Sequence, residues 1–355
     1  AEFDIEITTL DGKHLARSNP MIVRASPFAA YWGDMHGQSG ESVGINSARE
    51  YFQFARDLAF LDATSHQAND FQVNEPFWRH INELTAEFQQ DGRFLTLPGY
   101  EWSGNTGVGG DRNVYFRNEG RTIRRSSHAL IENREAIDND APTARDLFHD
   151  LQQEDCIVYA HIGGRPADVA YAHDPRLETA MEIHSAWGSF EWLMADCFAE
   201  GYRVGVVANS DGHKGRPGAS YPGASQFGAY GGLTCFLMDR LDRDSIFECL
   251  RQRHHYATTG DRIHIDLAVT AAKPLIRFDR DPAIFDSSGN ATTSLKMGDI
   301  AQTENDSVNL SLNVHARAPI ERIDILNAMD ELATIRNPAE SQGADRLRVL
   351  WRGAM

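Results

Sequence analysis

A chain of 355 residues, 41% hydrophobic and 10% aromatic, can fill a large core and exceeds one ordinary domain. Its formal net charge of −17 argues against nucleic acid and against an anionic membrane surface, since both are held by Lys and Arg. No run of 18 apolar residues reads as a transmembrane helix, and Cys156, Cys197, Cys235 and Cys249 share no CxxC spacing, so they read as reduced core thiols in a cytoplasmic compartment.

Residues 1–27 read as a β segment, the end of a β domain. Phe3, Ile5 and Ile7 alternate with polar residues, Asp11-Gly12 is a hairpin signal, and the pattern resumes at Met21. Residues 28–263 alternate strand and helix. Ser47-Ala-Arg-Glu50 has capping-box form, in which hydroxyl and carboxylate each satisfy an orphan amide, and opens a helix with Tyr51, Phe54, Ala55 and Leu58 on one face. Further helices are predicted after Asn74, after Thr143, from Ser189 to about Tyr202, and after Asp242 or Asp244. Between them, apolar runs predict strands, and alternation at this spacing predicts a parallel sheet, closed or nearly so. Two Gly-rich loops, 103–111 and 215–232 (the latter with Tyr221, Phe227 and Tyr230), read as lids or pocket walls. From Arg262 the pattern is pure β, with alternation at Ile263–Val269, Val308–Val314, Ile323–Leu326 and Leu347–Trp351. Residues 264–355 therefore read as a sandwich-like domain, truncated at its end. The first residue, Ala1, and the last, Met355, read as the ends of a fragment.

The chemistry sits at strand ends. Val204–Ala208 breaks into Asp211-Gly-His213-Lys214, and the same event recurs at Asp34-Met-His36-Gly-Gln38, Asp62 to His66, Glu101, His161, and at His184, which ends the run from Ala180. Side chains converging at the carboxyl ends of several strands are the arrangement of a β/α barrel site. His, Asp and Glu in such a set point to metal ligation. Asp34 reads as an orienting carboxylate rather than a ligand. His184 also fits a core histidine donating to a backbone carbonyl, and His66, Asp111 and Glu41 also fit loop hydrogen-bonders. His80, His128, His149, His173, His254 and His255 read as structural or solvated.

Gly33-Asp-Met-His36, Ala63-Thr-Ser-His66, Pro98-Gly-Tyr-Glu101, Ala160-His161 and Asn209-Ser-Asp211-Gly-His213 resemble, in order, the motifs of the polymerase-and-histidinol-phosphatase (PHP) metal-dependent hydrolases. With Arg112-Asn-Val-Tyr-Phe116 and Tyr256-Ala-Thr-Thr-Gly260, the resemblance narrows to the DUF3604 group of that superfamily. It covers about residues 28–265 and implies a distorted (β/α)7 barrel with two or three divalent ions, Mn, Fe or Zn. The ligand set it implies here is His36, Gln38, Glu41, His66, Glu101, Asp111, His161, His184, Asp211 and His213. The chain departs from the pattern at Gln38, where the first motif usually has a second His, at Ser65, where the second usually has Asp, and at Asp111, where His is usual. An amide oxygen suits a hard ion, so these changes favour Mn, Fe or Mg over a thiophilic metal.

The activity so implied is hydrolysis of a small anionic ester, with a phosphoester as the leading substrate, by hydroxide generated from water at the ions. Glu101, Asp211, His184, Arg165 and Lys214 are the catalytic candidates. Arg165, Lys214, Arg216 and Arg112 flank ligand motifs and are candidates to hold the anion. Two alternatives stand beside this reading: an amidohydrolase-like lactone or amide hydrolase, and a barrel that binds metal or ligand without turnover.

Overall fold

The computed structural model describes residues 2–23, 28–132, 137–219 and 229–336. In the N-terminal segment, β1 (Glu2–Phe3) pairs antiparallel with β4 (Met21–Ile22), and β2 (Glu6–Thr8) with β3 (His14–Arg17). Gly12 at φ +85° makes the turn expected from Asp11-Gly12, a conformation in which a Cβ would be strained.

Two sheets follow. One has the order β15-β14-β5-β6-β7, from β5 (Ala29–Asp34), β6 (Ala63–Thr64) and β7 (Leu95–Thr96), with β14 (Leu233–Met238) and β15 (His255–Thr258). The other runs β12-β11-β10-β9-β8, from β8 (Gly99–Trp102), β9 (Arg112–Phe116), β10 (Cys156–Ala160), β11 (Ala180–Ser185) and β12 (Gly188–Ser189), while β13 (Gly205–Ala208) adds to β11. The protein is mixed α/β, but the expected parallel sheet is not what forms. Although β5-β6-β7 and β10-β11-β13 are parallel, β9 runs antiparallel to β8 and β10, and β14 antiparallel to β5 and β15. The β8–β9 reversal has a simple cause. Parallel neighbours need a crossover of a dozen or more residues, and the loop 103–111 is shorter and carries only a 3₁₀ turn at Thr106–Val108.

The helices start where the sequence places their caps. Ser47 and Glu50 form the capping box of α1 (Ala48–Asp57), Asn74 caps α2 (Glu75–Phe88), Thr143 and Asp146 box α3 (Ala144–Leu151), and Asp242 caps α5 (Arg243–Arg251). Only α4 (Glu191–Ala199) lacks a side-chain cap among them; it begins after Phe190 because Ser189 lies in β12. Their apolar faces build an outer core around Trp32, Tyr51, Phe52, Phe88, Tyr100 and Trp102, all buried. A second core of Met35, Tyr115, Tyr159, Phe236 and Phe247 packs beneath the strand ends. Each large buried side chain contributes roughly 1.5–3 kcal/mol. The four cysteines are buried and none is in a disulfide, as expected.

Beyond Arg262, β16 (His264–Phe278) carries β17 (Asn290–Lys296), β18 (Ile300–Gln302) and β19 (Asn309–His315) antiparallel, and β20 (Arg322–Asn327) pairs with β21 (Asp330–Arg336). The predicted strand at Leu347–Trp351, and Tyr221 and Phe227 of the second Gly-rich loop, lie outside the described residues. No helix among the described residues is long and apolar enough to cross a membrane.

Candidate metal centre

Five strand ends deliver the site. His36 follows β5, Glu101 is in β8, His161 follows β10, Glu182 is in β11 and Asp211 follows β13. Asp34 ties two of these ends together: its carboxylate accepts the amides of Ser210 at 2.9 Å and Gly218 at 2.8 Å. The Asp211 amide in turn donates to the His36 carbonyl at 2.8 Å, and Asp211 sits at φ +46°, a left-handed backbone that β-carbon residues adopt only when their surroundings enforce it. Asp34 is thus a positioning carboxylate.

Around His36 the side chains converge. Its Nε2 lies 3.2 Å from Asp211 Oδ1 and 3.7 Å from Glu101 Oε2, and its Nδ1 lies 3.1 Å from Glu182 Oε2. Glu101 turns its other oxygen to His161 Nε2 at 3.7 Å, and the two imidazoles stand edge to face with centroids 4.5 Å apart. Three sets have ligand atoms within 4.8 Å of one another: His36, Glu101 and Asp211; Glu101, Asp111 and His161; and His36, His161 and Glu182. Glu101 belongs to two of them, one oxygen to each side.

The electrostatics call for a cation. Burial alone would lower the His36 pKa, but the carboxylates of Asp211 and Glu182 outweigh it and hold the imidazole well above its ordinary value. Burial would raise Asp211, yet the His36, His213 and His161 imidazoles bring it well below the usual carboxylate range. Asp111 goes the other way, pushed up by burial and by the Glu101 charge despite Arg165. Burial and His36 lower His161. Meanwhile His36 Nε2 and both nitrogens of His161 are fully buried with no hydrogen-bond partner. Four carboxylates and two imidazoles packed in an apolar wall are costly unless positive charge compensates them. The oxygen and nitrogen donor set fits divalent ions such as Mn, Fe or Zn.

The other predicted residues divide. Gln38 is at the centre but gives its amide Nε2 to Glu101 Oε2 at 3.1 Å and to Asn69 at 3.0 Å, while its Oε1 is buried without a partner. His213 stands beside Asp211, its Nε2 at 3.4 Å from Oδ1. Arg165 donates through Nε to Asp111 at 2.7 Å, reaches Glu101 to 3.5 Å and lies over the Phe71 ring. Its side chain, at 26% exposure, faces the open side of a cluster whose carboxylates are nearly inaccessible. Lys214 is half-buried and Arg216 exposed on the segment after His213.

Three residues lie outside these three sets, although His66 Nδ1 is buried without a hydrogen-bond partner. His66 bonds through Nε2 to Ser39, which in turn donates to Glu41, and Glu41 takes the Ala48 amide at the start of α1. His184 has both nitrogens engaged, with Ser189 Oγ at 2.7 Å and the Tyr230 carbonyl at 2.9 Å. The cause is a register shift in β11: Glu182 pairs with Val207 but His184 with Ala208, so one extra residue separates them and their side chains part. Arg112 is corrected outright as an anion holder. Fully buried, its guanidinium donates to the carbonyls of Gly109, Gly110, Asp168 and Ala172 and pairs with Glu178 at 3.2 Å.

Glu182 and Asn209 were not singled out from the sequence. Glu182 accepts from Asn209 Nδ2 at 2.7 Å as well as facing His36, and Asn209 accepts the Met35 amide. A signal was present: Glu182 is a lone charge inside the apolar strand Ala180-Met-Glu-Ile.

Residues 13–157 match the model of a family described as a protein of unknown function, DUF3604. The resemblance to the DUF3604 group is thereby borne out. An uncharacterized protein of Chlamydia pneumoniae is 27% identical over 269 residues, and one of Chlamydia trachomatis 23% identical over 267, each match covering 68% of this chain and 41% of the relative. The matched region thus spans well under half the length of these curated relatives. Among solved structures, a two-domain protein of Bacteroides vulgatus containing a predicted PHP-like metal-dependent phosphoesterase is similar over 89% of this chain and 98% of its own, at TM-score 0.49 and 11% identity. Endonuclease Q, solved with a duplex carrying an abasic lesion, is similar over 62% of this chain and 56% of its own, at TM-score 0.39 and 11% identity.

Proposed function

We propose that the chain is a metal-dependent hydrolase of a small anionic ester, with a phosphoester as the substrate class. The observation that carries this reading is Glu101: one carboxylate faces His36 on one side and His161 with Arg165 on the other, as a residue shared between two ion sites would. His36, Glu101, His161 and Asp211 are the proposed ligands, with Asp111, His213 and Glu182 at their flanks. Divalent ions held there would supply activated water and neutralise charge developing on the substrate.

The chain's own groups do the rest. Gln38 and Ser103 each donate to one oxygen of Glu101, fixing the carboxylate plane. Arg165, oriented by Asp111, would grip one anionic oxygen of the substrate, and Lys214, next to His213 in the chain, is a second candidate. His213, partly exposed beside Asp211, can give a proton to the leaving oxygen. The net charge of −17 disfavours long polyanions, whereas a small anion meets this local cationic group. The same reading takes the two sheets as halves of a distorted (β/α)7 barrel spanning 28–263, flanked by the 1–27 segment and the 264–355 β domain. In its support, the His255 ring on β15 donates to the Val206 carbonyl of β13 at 2.9 Å, across the gap between the sheets.

The test is metal analysis of protein purified without chelator, followed by assay of Mn-loaded protein against phosphomonoesters, phosphodiesters, lactones and amides, with Asp211→Ala as control. Turnover of phosphoesters that Asp211→Ala abolishes is expected. Turnover confined to lactones or amides would replace the substrate class, and metal-free protein would remove the reading altogether.

A further inference from the structure

At the opposite end of β11 from His184 lies a second site of different character. A cavity of about 210 Å³ opens between the segment Pro175–Thr179, the end of α5 and the 279–285 loop that follows β16. Four arginines line it: Arg176, Arg251, Arg253 and Arg280. Such a concentration of guanidinium is unexpected in a chain that is acidic overall.

Arg253 is the central group. It is 9% exposed and sits at φ +59°, a left-handed conformation that is strained for a residue with a side chain. Among the described residues its hydrogen bonds go to carbonyls, from Nη1 to Arg251 at 3.1 Å and from Nε to Gly298 at 3.4 Å, and it forms no ion pair with a described carboxylate. Burial pulls its pKa down from the ordinary arginine value, outweighing the nearby charges of Asp281 and Asp299. Arg280 likewise forms no ion pair with a described residue and lies over the Phe285 ring. The acidic groups of the cavity are committed. Asp281 takes Arg203 at 2.9 Å and the Ala283 amide, Asp279 takes Arg277, and Glu248 receives the Gln252 amide. Arg176 and Arg251 are themselves paired outward, with Asp174 and Asp155.

We infer that this cavity binds a phosphate group, free or on a small ester, between Arg253 and Arg280. A tetrahedral oxyanion supplies the acceptors that the planar forks lack, and the volume admits a phosphate-sized ligand rather than a nucleotide. Because the walls come from the α/β unit on one side and the 279–285 loop on the other, a bound anion would fasten that loop onto the unit.

The probe is inorganic phosphate, titrated calorimetrically into the protein as purified with ionic strength held constant by sodium chloride. A binding component is expected that Arg253→Gln and Arg280→Gln each weaken at least tenfold and that Asp211→Ala leaves in place. Phosphate binding that both arginine variants retain in full, or that disappears with Asp211→Ala, would overturn the inference by assigning the anion to the metal centre. Arg280 is exposed on a loop, so Arg280→Gln reads the site even where Arg253→Gln fails to fold.

Discussion

The Oδ1 of Asp211 lies 3.2 Å from the Nε2 of His36, with Glu101 at 3.7 Å from the same nitrogen, so two carboxylates from one sheet, after β13 and in β8, converge on an imidazole that follows β5 of the other. A cation between them would compensate both carboxylates at neutral pH. Glu101→Gln keeps the shape and removes the charge, and Gln38, which now donates to Glu101 Oε2, would face a neutral amide. Protein purified without chelator is expected to lose most of its bound metal in this variant, as read by elemental analysis. Full metal content with lost activity would make Glu101 a proton carrier and not a ligand.

Glu182 tests the layer behind the ligands. Its carboxylate receives Nδ1 of His36 and is itself held by Asn209, so it fixes the imidazole tautomer with Nε2 free to bind. Glu182→Gln is expected to weaken metal affinity about 10- to 100-fold without unfolding the chain. Competition with a metal-sensitive dye would measure it, and unchanged affinity would show that His36 is oriented by the backbone alone.

Much of this site was legible because metal ligands at strand ends leave a local trace: an apolar run that stops at His or Asp. His36, Glu101, His161 and Asp211 announce themselves that way. What sequence could not show is register. Glu182 and His184 are two apart and should share a face, yet the extra residue between them in β11 sends Glu182 to the cluster and His184 to the Tyr230 carbonyl. Strand direction was equally hidden. Nothing in Arg112–Phe116 says that it runs against its neighbours; that is decided by the loop before it. Arg112 looked like an anion holder because it adjoins Asp111, but its buried guanidinium is engaged by the Gly109, Gly110, Asp168 and Ala172 carbonyls and by Glu178.

That buried Arg112 yields its own prediction. Its guanidinium joins the 103–111 loop, through the Gly109 and Gly110 carbonyls, to the 168–172 segment, and those two stretches flank Asp111 and Arg165. Arg112→Met would leave Glu178 buried with His173, at 2.7 Å, as its remaining ion-pair partner among the described residues. Loss of one member of a buried pair costs about 3–5 kcal/mol, so thermal and denaturant midpoints should fall sharply. The double variant Arg112→Met/Glu178→Gln should recover part of that loss. If the single substitution leaves the midpoint within error, the network is not supporting the loops.

The last prediction concerns pH. His255 is buried against Gly205, donates Nδ1 to the Val206 carbonyl, and has its pKa lowered from 6.5 to about 4, chiefly by burial. Above pH 6.5 the ring is neutral in both folded and unfolded chains, and its contribution to stability is complete. As pH falls below 6.5 the unfolded chain takes up a proton that the native state refuses, so unfolding becomes easier by about 1.4 kcal/mol per pH unit until roughly pH 4, where the folded ring also protonates. The full loss is roughly 3 kcal/mol. His255→Asn retains a donor for the Val206 carbonyl and removes the titration. Urea unfolding of both proteins at pH 7, 6 and 5 should therefore give stability curves that converge toward acid, the wild type falling more steeply. Parallel curves would mean that His255 titrates alike in the folded and unfolded chains.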